Sequence, residues 1–298
     1  MLQAKITAYA KINLVLDVLR KREDGYHEVA MVMQAVDLSD TILLKESDRN
    51  WLVTSNRYIP ANMNNLAMRA VTLMQQEFPQ RVPKLEVKLT KNIPVAAGMA
   101  GGSTDCAGVM LGINAMCNLG LTQKELEFLA AKLGSDIPFC IGGPTGLATG
   151  RGEIMQALPE CPELHLVLVK PPFGVSTPKV YGNLRVDEIT EHPNIEACIA
   201  GIRNGSKEQI LNAMGNVLEE STFGLQPKVK DIKNGMIQSG CQHVLMSGSG
   251  PTVFAAFAEK EEANAYYQKI KRQYPSAILT RTINKQQLAE RVELNGCK

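Results

Sequence analysis

Glycines and small residues fill the chain from Pro94 to Asp105, between a predicted strand and a predicted helix. Glycine lets a backbone approach a ligand closely, and the free N–H groups at a helix N-terminus, helped by the helix dipole, favour a phosphate. The segment lacks the Lys-Ser/Thr of a Walker loop and the G-x-G-x-x-G spacing of a dinucleotide site. It therefore predicts a nucleotide phosphate site of another kind. The simpler alternative is a glycine turn capped by Ser103 or Thr104.

Two charged residues with apolar neighbours, Lys11 and Asp136, are candidates for acid–base chemistry. If folding brings them together, the carboxylate can accept the proton of an alcohol while the ammonium holds charge nearby. That pair would prepare the alcohol for attack on a γ-phosphate. Each also has a simpler interpretation: Lys11 as an edge-strand lysine, and Asp136 as the N-cap of a helix with Pro138 in its first turn.

Two further segments are candidate ligand contacts. The turn Ser-Gly-Ser-Gly-Pro-Thr at residues 247–252 lies between predicted strands and either wraps part of the same ligand or is an ordinary hairpin turn. Tyr26 and His27 follow an Asp-Gly turn and offer a stacking surface with an imidazole, or a half-buried strand entry. Tyr181 is another candidate for a flat wall.

Hydrophobic periodicity predicts an α+β protein whose strands and helices position these candidates. Strands are predicted at residues 4–19, 31–36, 41–44, 85–89, 164–169, 242–246 and 252–257. Helices are predicted at residues 64–78, 106–117, 122–133, 207–219, 226–239 and 261–274, the third starting at a capping box formed by Thr122 and Glu125. A boundary near residues 155–165 divides the chain into domains 1–158 and 159–298.

Composition narrows the classes of function. The net charge is +2, from 32 Lys+Arg against 30 Asp+Glu, which argues against a nucleic-acid binder. No apolar run approaches the roughly 18 residues of a membrane span, and the opening residues do not resemble a signal peptide. Seven scattered cysteines without a C-x-x-C pair, and four isolated histidines, disfavour a metal centre or a disulfide framework. We expect a protein of the reducing cytoplasm.

Together, the four ordered motifs resemble those of the GHMP kinase family, named for galactokinase, homoserine kinase, mevalonate kinase and phosphomevalonate kinase. The motifs cover residues 8–14 with 24–27, 94–105, 134–139 and 247–252, so the resemblance spans both predicted domains. It implies a two-domain GHMP kinase fold, with a ribosomal protein S5 domain 2-like N-terminal domain and a ferredoxin-like α/β sandwich as the C-terminal domain.

The resemblance also implies an activity. The motifs match most closely the family members that use ATP to phosphorylate the 2-hydroxyl of a cytidine diphosphate-linked methylerythritol, in non-mevalonate isoprenoid precursor biosynthesis. By this resemblance Asp136 is the general base and Lys11 its charged partner. Mg²⁺ is expected with ATP, without a protein ligand that the sequence identifies. The resemblance implies small-molecule partners, no nucleic acid and no membrane, and it assigns no oligomeric state.

The remaining site residues are carried over from the same resemblance. The ATP-binding positions are Asn65, Lys91, Pro94, Val95, Ala96, Ala97, Gly98, Met99, Ala100, Gly101, Gly102, Ser103 and Thr104. The substrate-binding positions are Asn13, Tyr26, His27, Thr177 and Tyr181. Among these, Tyr26 and Tyr181 are expected to sandwich the cytosine, and His27 to bond its edge. The loop holds fewer glycines than the richest family loops, and Tyr181 stands where some members have phenylalanine.

Three alternatives stay open at this stage. Another kinase of the family, acting on homoserine or mevalonate, shares most of the motifs, and only Tyr26 with His27 argues for a cytidine nucleotide. A nucleotide sensor without catalysis would keep the loop, but it has no need of both Lys11 and Asp136. An RNA-binding module is disfavoured by the balanced charge and the low aromatic content.

Overall fold

Two long strands form the centre of the first sheet. The computed structural model describes residues 3–295, and in it β1 (Gln3–Lys21) and β2 (His27–Glu46) pair antiparallel. Gly25, at a φ of +82°, lies in the turn that joins them, where the left-handed backbone favours glycine. Side chains of β1 alternate between buried and half-buried up to Ala10 and are buried on both faces from there to Val18, so this part of β1 lies inside the protein.

Six shorter strands complete the first sheet. They are β3 (Trp51–Thr54), β4 (Leu85–Thr90), β5 (Thr145–Thr149), β6 (Ile154–Ala157), β8 (Gly215–Asn216) and β12 (Val292–Asn295). The order is β12-β1-β2-β4-β3, with β5 joining β2 to β6 and β8 pairing with β1. The second sheet consists of β7 (His165–Val169), β9 (Val244–Met246), β10 (Val253–Phe257) and β11 (Ile278–Arg281). These strands are antiparallel, in the order β11-β7-β10-β9.

The helices fall into two groups. In the first half they are α1 (Leu66–Glu77), α2 (Gly101–Met116), α3 (Gln123–Ala131) and α4 (Ile137–Gly142). In the second half they are α5 (Thr177–Asn183), α6 (Ile195–Asn204), α7 (Lys207–Asn212), α8 (Leu218–Leu225), α9 (Pro227–Gln238), α10 (Lys260–Gln273) and α11 (Lys285–Ala289), with a 3₁₀ turn at Val186–Glu188. No helix within residues 3–295 combines the length and the apolarity that a membrane crossing requires.

Helix α2 packs directly on the two central strands because Gly108 and Gly112, on the face toward them, have no side chain. A Cβ at Gly108 would lie 2.6 Å from a methyl group of Ile42, and one at Gly112 would lie 2.6 Å from Ile6 and 2.7 Å from Leu44. These separations are far below van der Waals contact, so only glycine permits the helix to lie this close. The helix is thereby held against β1 and β2. Its N-terminal residues, Gly101 and Gly102, line the cleft described below.

The α+β class is confirmed, and most predicted elements lie within a few residues of the observed ones, including the capping box of α3. Two predictions were wrong. Residues 31–36 and 41–44 belong to the single strand β2, and residues 207–219 hold α7, β8 and the start of α8 instead of one helix. The division at 158/159 stays a prediction; β12, near the end of the chain, pairs with β1 and returns to the first sheet.

The cysteines form no disulfide among the residues that the structure describes. Six of the seven are free, and five of these six are buried; Cys297 lies outside the described residues. Burial raises the pKa of the Cys140 thiol, within α4, to about 12, so this thiol stays protonated at neutral pH. Between residues 3 and 295, no three Cys, His, Asp or Glu side chains cluster closely enough to hold a metal ion.

Candidate active site

A cleft of about 1100 Å³ brings together residues from all four motifs. Of the predicted site residues, those that line it are Lys11, Tyr26, His27, Asn65, Lys91, Pro94, Val95, Ala96, Ala97, Gly98, Ala100, Gly101, Gly102, Ser103, Asp136, Thr177 and Tyr181. Asn13, Met99 and Thr104 are buried beside or behind the cleft and are absent from its lining. A cavity of this size accommodates a ligand as large as a nucleotide together with a second substrate.

Lys11 is a buried residue of a central strand. Its exposed fraction is 4%, and the strand edge at this position is covered by the loop residue Met99, so the interpretation as a solvent-facing edge lysine does not apply. Lys11 and Asn13 project from the same face of β1, and the Lys11 ammonium donates a hydrogen bond of 2.8 Å to Oδ1 of Asn13. Shifts of the β1–β2 register after Tyr9 and after Asn13 bracket the two residues. Such bulges re-aim side chains, and here they direct Lys11 into the cleft.

Asp136 is the N-cap residue of α4, as predicted, but its side chain caps no N–H group. The carboxylate instead lies in the cleft, 37% exposed, with Oδ2 at 3.7 Å from Nζ of Lys11. A carboxylate that spends no hydrogen bond on its own helix remains available to an incoming hydroxyl group. Lys11 and Asp136 therefore meet in space although they come from distant parts of the chain.

The glycine-rich loop runs alongside β1. Strand β1 pairs with β12 over Gln3–Ile6 and with β8 over Val15–Leu16, and between these stretches the N–H of Lys11 donates to the carbonyl of Met99 at 3.2 Å. The loop thus occupies a free stretch of strand edge next to the catalytic candidates. Its backbone and the N-terminus of α2 both face the cleft, which is the arrangement that phosphate binding requires.

The start of α2 corrects one interpretation of this loop. The helix begins at Gly101, and its N-cap residue, Ala100, adopts a left-handed backbone with φ of 56° and makes no side-chain cap. Ser103 and Thr104 therefore lie inside the first turn and cap nothing. Ser103 lines the cleft, whereas Thr104 is buried with 3% exposure and turns away from it.

The second glycine turn packs against the first. The hydroxyl of Ser247 donates to the carbonyl of Gly98 at 3.0 Å, and a Cβ at Gly98 would lie only 2.2 Å from the carbonyl oxygen of Ser247. Gly248 and Ser249 reach the cleft lining, and Ser249 bonds the hydroxyl of Thr177 at 2.7 Å. The turn at 247–252 supports the glycine-rich loop and adds two residues to the cleft.

Lys91 is held by two buried carboxylates. Its ammonium contacts Asp40 of β2 and, at 2.7 Å, Asp105 of α2, and Asp40 also accepts the N–H groups of Asn92 and Ile93 at 2.6 and 2.9 Å. This cluster joins β2, the two residues just before the loop and the N-terminal part of α2. Desolvation and the charge of Asp40 raise the pKa of Asp105 to about 7 in spite of Lys91, so Asp40 is the carboxylate that carries most of the ion pair.

Replacing Asp40 by asparagine is expected to lower the free energy of unfolding by about 3 kcal/mol, because Lys91 would be left as a buried and poorly paired cation. Affinity for the phosphate ligand predicted at the loop should also fall, since residues 92 and 93, which lead into the loop, are bonded to Asp40. Asp105→Asn is the matched control and should lose less, because Asp105 already holds a proton part of the time at neutral pH. Urea unfolding at pH 7 compares the two variants, and equal losses would contradict this division of roles.

The far end of the cleft carries the aromatic residues. The rings of His27 and Tyr181 lie 5.3 Å apart at 36°, and Arg151 lies 4.9 Å from the ring centre of Tyr26. Burial and the charge of Lys21 lower the pKa of His27, so at neutral pH its imidazole offers one donor and one acceptor. Burial and the charge of Asp136 raise the pKa of the Tyr181 phenol, which stays protonated. In the structure the ring of Tyr181 therefore packs against His27, and the ring of Tyr26 lies under the guanidinium of Arg151.

Other residues at the cleft serve the protein framework as well. Asn65 is the N-cap of α1, accepting from the N–H of Ala67 and donating to the carbonyl of Pro60, both at 2.9 Å. The sequence did not single out Asp40, Asp105 or Arg151, although all three contact predicted site residues. Asp40 follows Asp37 and Ser39 in a polar stretch that looks like a loop between two strands, so the sequence offered no signal for it.

The sequence is similar to known kinases over most of its length. The model of the GHMP kinases N terminal domain matches residues 65–144, and that of the GHMP kinases C terminal domain matches residues 198–276. A 4-diphosphocytidyl-2-C-methyl-D-erythritol kinase of Brevibacillus brevis is 44% identical over 288 residues, 96% of this chain and 98% of the relative. The chain belongs to the GHMP kinase family. The resemblance read from the motifs is thereby confirmed.

Further relatives and solved structures agree with the family. A kinase of the same printed name from Listeria innocua is 45% identical over 272 residues, 91% of this GHMP kinase and 93% of the relative. A crystal structure of 4-(cytidine 5'-diphospho)-2C-methyl-D-erythritol kinase matches with a TM-score of 0.79 and 30% identity, covering 93% of this chain and 98% of that one. Homoserine kinase from Cytophaga hutchinsonii shares the fold, with a TM-score of 0.78, 20% identity, and coverage of 98% and 97%.

Proposed function

We propose that this GHMP kinase transfers the γ-phosphate of ATP to the 2-hydroxyl of 4-diphosphocytidyl-2-C-methyl-D-erythritol, a step of non-mevalonate isoprenoid precursor biosynthesis. The observation that carries the proposal is the meeting of Lys11 and Asp136 at 3.7 Å in one cleft with the glycine-rich loop. The curated relatives, at 44–46% identity over most of the chain, carry this kinase name. The cytoplasmic location stays a prediction.

Transfer follows from the positions of these groups. The substrate hydroxyl gives its proton to the Asp136 carboxylate, its oxygen attacks the γ-phosphorus in line, and the bond to the β-phosphate oxygen breaks to release ADP. Lys11 supplies a fixed positive charge beside the hydroxyl and the transferred group. Because the ammonium is already bonded to Asn13, little rearrangement accompanies the reaction, and positioning with electrostatics supplies most of the acceleration.

ATP is the donor that family membership implies, and we assign its phosphates to the loop from Pro94 to Ser103 with the N-terminus of α2. Mg²⁺ is proposed as its companion. An ion that arrives on ATP takes most of its ligands from phosphate oxygens and water, so one or two protein oxygens suffice. The hydroxyl of Ser103, in the cleft at the start of α2, is a suitable donor. Bound there, Mg²⁺ would neutralise charge on the transferring phosphates.

The cytidine end is assigned to the aromatic end of the cleft. Tyr26 offers a half-exposed ring, and the neutral His27 can pair a donor and an acceptor with the edge of a cytosine. Lys21 and Arg151 add positive charge at the same end of the cleft, which suits a diphosphate. The aromatic wall and these charges together favour a pyrimidine nucleotide over a small amino acid such as homoserine.

The direct test is a coupled assay of ADP release. We expect turnover with 4-diphosphocytidyl-2-C-methyl-D-erythritol and none above background with homoserine or mevalonate. Turnover with homoserine or mevalonate alone would reject the substrate assignment and keep the fold and the kinase chemistry. Absence of ADP release with all three would reject the proposed function as a whole.

Tyr26→Ala is expected to raise KM for the cytidine substrate about tenfold, because loss of one base-stacking ring costs about 1–3 kcal/mol. KM for ATP should stay within about twofold, since Tyr26 lies at the turn between β1 and β2, whereas the loop contacts β1 at Lys11, ten residues away along the strand from Lys21, the partner of His27. Tyr26→Phe is the control that keeps the ring and should resemble the wild type. Steady-state kinetics with each substrate varied in turn distinguish these results, and an equal rise in both KM values would contradict the assignment.

A further inference from the structure

The last described segment of the chain lies against the strand that carries Lys11. Arg291 comes between α11 and β12, and β12 pairs with the first residues of β1. The carbonyl of Arg291 accepts a hydrogen bond of 2.8 Å from the N–H of Thr7 in β1. The backbone at Arg291 is therefore fixed to the strand on which Lys11 stands.

The side chain of Arg291 reaches in another direction, to the helix that follows Asp136. Its guanidinium donates to the carbonyl of Cys140 at 2.8 Å and to that of Ile141 at 2.5 Å. These carbonyls lie in the last turn of α4, where helix carbonyls have no intrahelical partner. A cation at this end also interacts favourably with the helix dipole.

The contact between Arg291 and α4 carries a desolvation cost for the charged guanidinium. Burial lowers the pKa of the Arg291 guanidinium to about 10, and the group is still charged at neutral pH. Within residues 3–295 its hydrogen bonds go to the two carbonyls, and no carboxylate forms a salt bridge with it. A half-buried charge bonded to these two carbonyls favours the position of α4 in which both hydrogen bonds form.

Resting on the proposed function, we infer that Arg291 is a positioning residue that sets the distance between Lys11 and Asp136. One end of the residue is bonded to β1, which carries Lys11, and the other end to α4, which begins directly after Asp136. At 3.7 Å the ammonium and the carboxylate are too far apart for a strong hydrogen bond, so the pair does not hold itself together. The arginine bridges the two elements from behind.

The test replaces Arg291 and separates positioning from stability. Arg291→Gln should lower kcat about 10- to 100-fold with both KM values within about twofold of the wild type, because a displacement near 1 Å of a catalytic group costs up to about 100-fold. Arg291→Lys keeps one charged donor and should show an intermediate kcat. Assays are made well below each variant's melting temperature, and the ATP Kd is measured separately to establish that the loop is intact.

Arg81 offers a matched control. Its guanidinium donates to the carbonyls of Leu119 and Asn118, just beyond the end of α2, and the residue does not line the cleft. Arg81→Gln should therefore lower the melting temperature with kcat within about twofold of the wild type. Glu293→Ala, which removes only the surface pair with Lys5, tests whether any change in β12 has the same effect.

The outcomes are distinct. A kcat of Arg291→Gln within twofold of the wild type overturns the inference, and so does a loss of kcat in Arg81→Gln equal to that in Arg291→Gln. If Arg291→Gln does not fold, Arg291→Lys decides by the same criterion. A wild-type chain that releases no ADP with the cytidine substrate contradicts the proposed function instead, and that result is seen before any variant is compared.

Discussion

Asp136→Asn is expected to lower kcat by about 10³-fold or more while the Kd for ATP stays within about twofold. The amide keeps the size of the carboxylate but cannot accept the proton of the hydroxyl, and general-base assistance contributes about 10²–10⁴-fold. The phosphates are assigned to backbone N–H groups of the loop, which this change leaves intact. Single-turnover kinetics together with a direct ATP-binding measurement separate the two effects.

Asp187→Asn is the matched control for Asp136→Asn. Asp187 is an exposed carboxylate that lines the same cleft, in the 3₁₀ turn at Val186–Glu188. Its removal lowers the negative charge of the cleft by the same amount, without touching Lys11. We expect its kcat to remain within a few fold of the wild type. If Asp136→Asn kept turnover near that of the wild type, another group would have to be the base.

The two residues of the proposed catalytic pair could be selected from the sequence because their signals are local. Lys11 is a charged residue inside an apolar strand pattern, and Asp136 follows a helix-ending glycine and precedes Ile-Pro, so both stand out without knowledge of the fold. Their meeting was not predictable from the residues themselves, because it depends on how β1 and α4 pack. The family resemblance supplied that step, and the separation of 3.7 Å between Nζ of Lys11 and Oδ2 of Asp136 supports it.

The division of β2 into two predicted strands failed for a physical reason. Polar residues at 37, 39 and 40 look like a loop between two strands, because an unpaired buried carboxylate is costly. Asp40 is in fact fully buried within the strand, since Lys91 and two backbone N–H groups bond its carboxylate. Partners that lie far away in sequence made a polar strand position stable.

The helix predicted at 207–219 failed in a similar way. Residues 207–219 have apolar residues at helical spacing, yet the chain leaves the helix so that Gly215–Asn216 can pair with β1. The buried amide of Asn216 donates to the carbonyls of Met246 and Gly248, both at 2.8 Å. The chain gives up helix hydrogen bonds there to hold the turn that supports the glycine-rich loop, a tertiary contact that hydrophobic periodicity does not predict.

Arg151 and Arg291 illustrate a different limit. Each acts through a partner remote in sequence, Arg151 over the ring of Tyr26 and Arg291 on the carbonyls of α4. Arginines on exposed turns and near chain ends are common, so residue type alone gave no reason to select them. Two features of the folded chain distinguish them. The pairing of β12 with β1 positions Arg291, and the turn between β5 and β6 places Arg151 at the cleft.

Gly98→Ala is expected to abolish measurable turnover and to lower the free energy of unfolding by about 2 kcal/mol or more. Gly98 has a φ of +72°, and an added Cβ would lie 2.2 Å from the Ser247 carbonyl and 2.9 Å from that of Gly250, both backbone atoms that cannot rotate away. The loop and its supporting turn would have to separate, which displaces the N–H groups assigned to ATP.

Ala100→Gly is the opposite change in the same loop. Ala100 already holds a left-handed φ of 56°, so glycine should keep activity and add about 1 kcal/mol of stability. Thermal unfolding and ATP titration of both variants test this, and an active, stable Gly98→Ala protein would show that the two turns are not in contact as described.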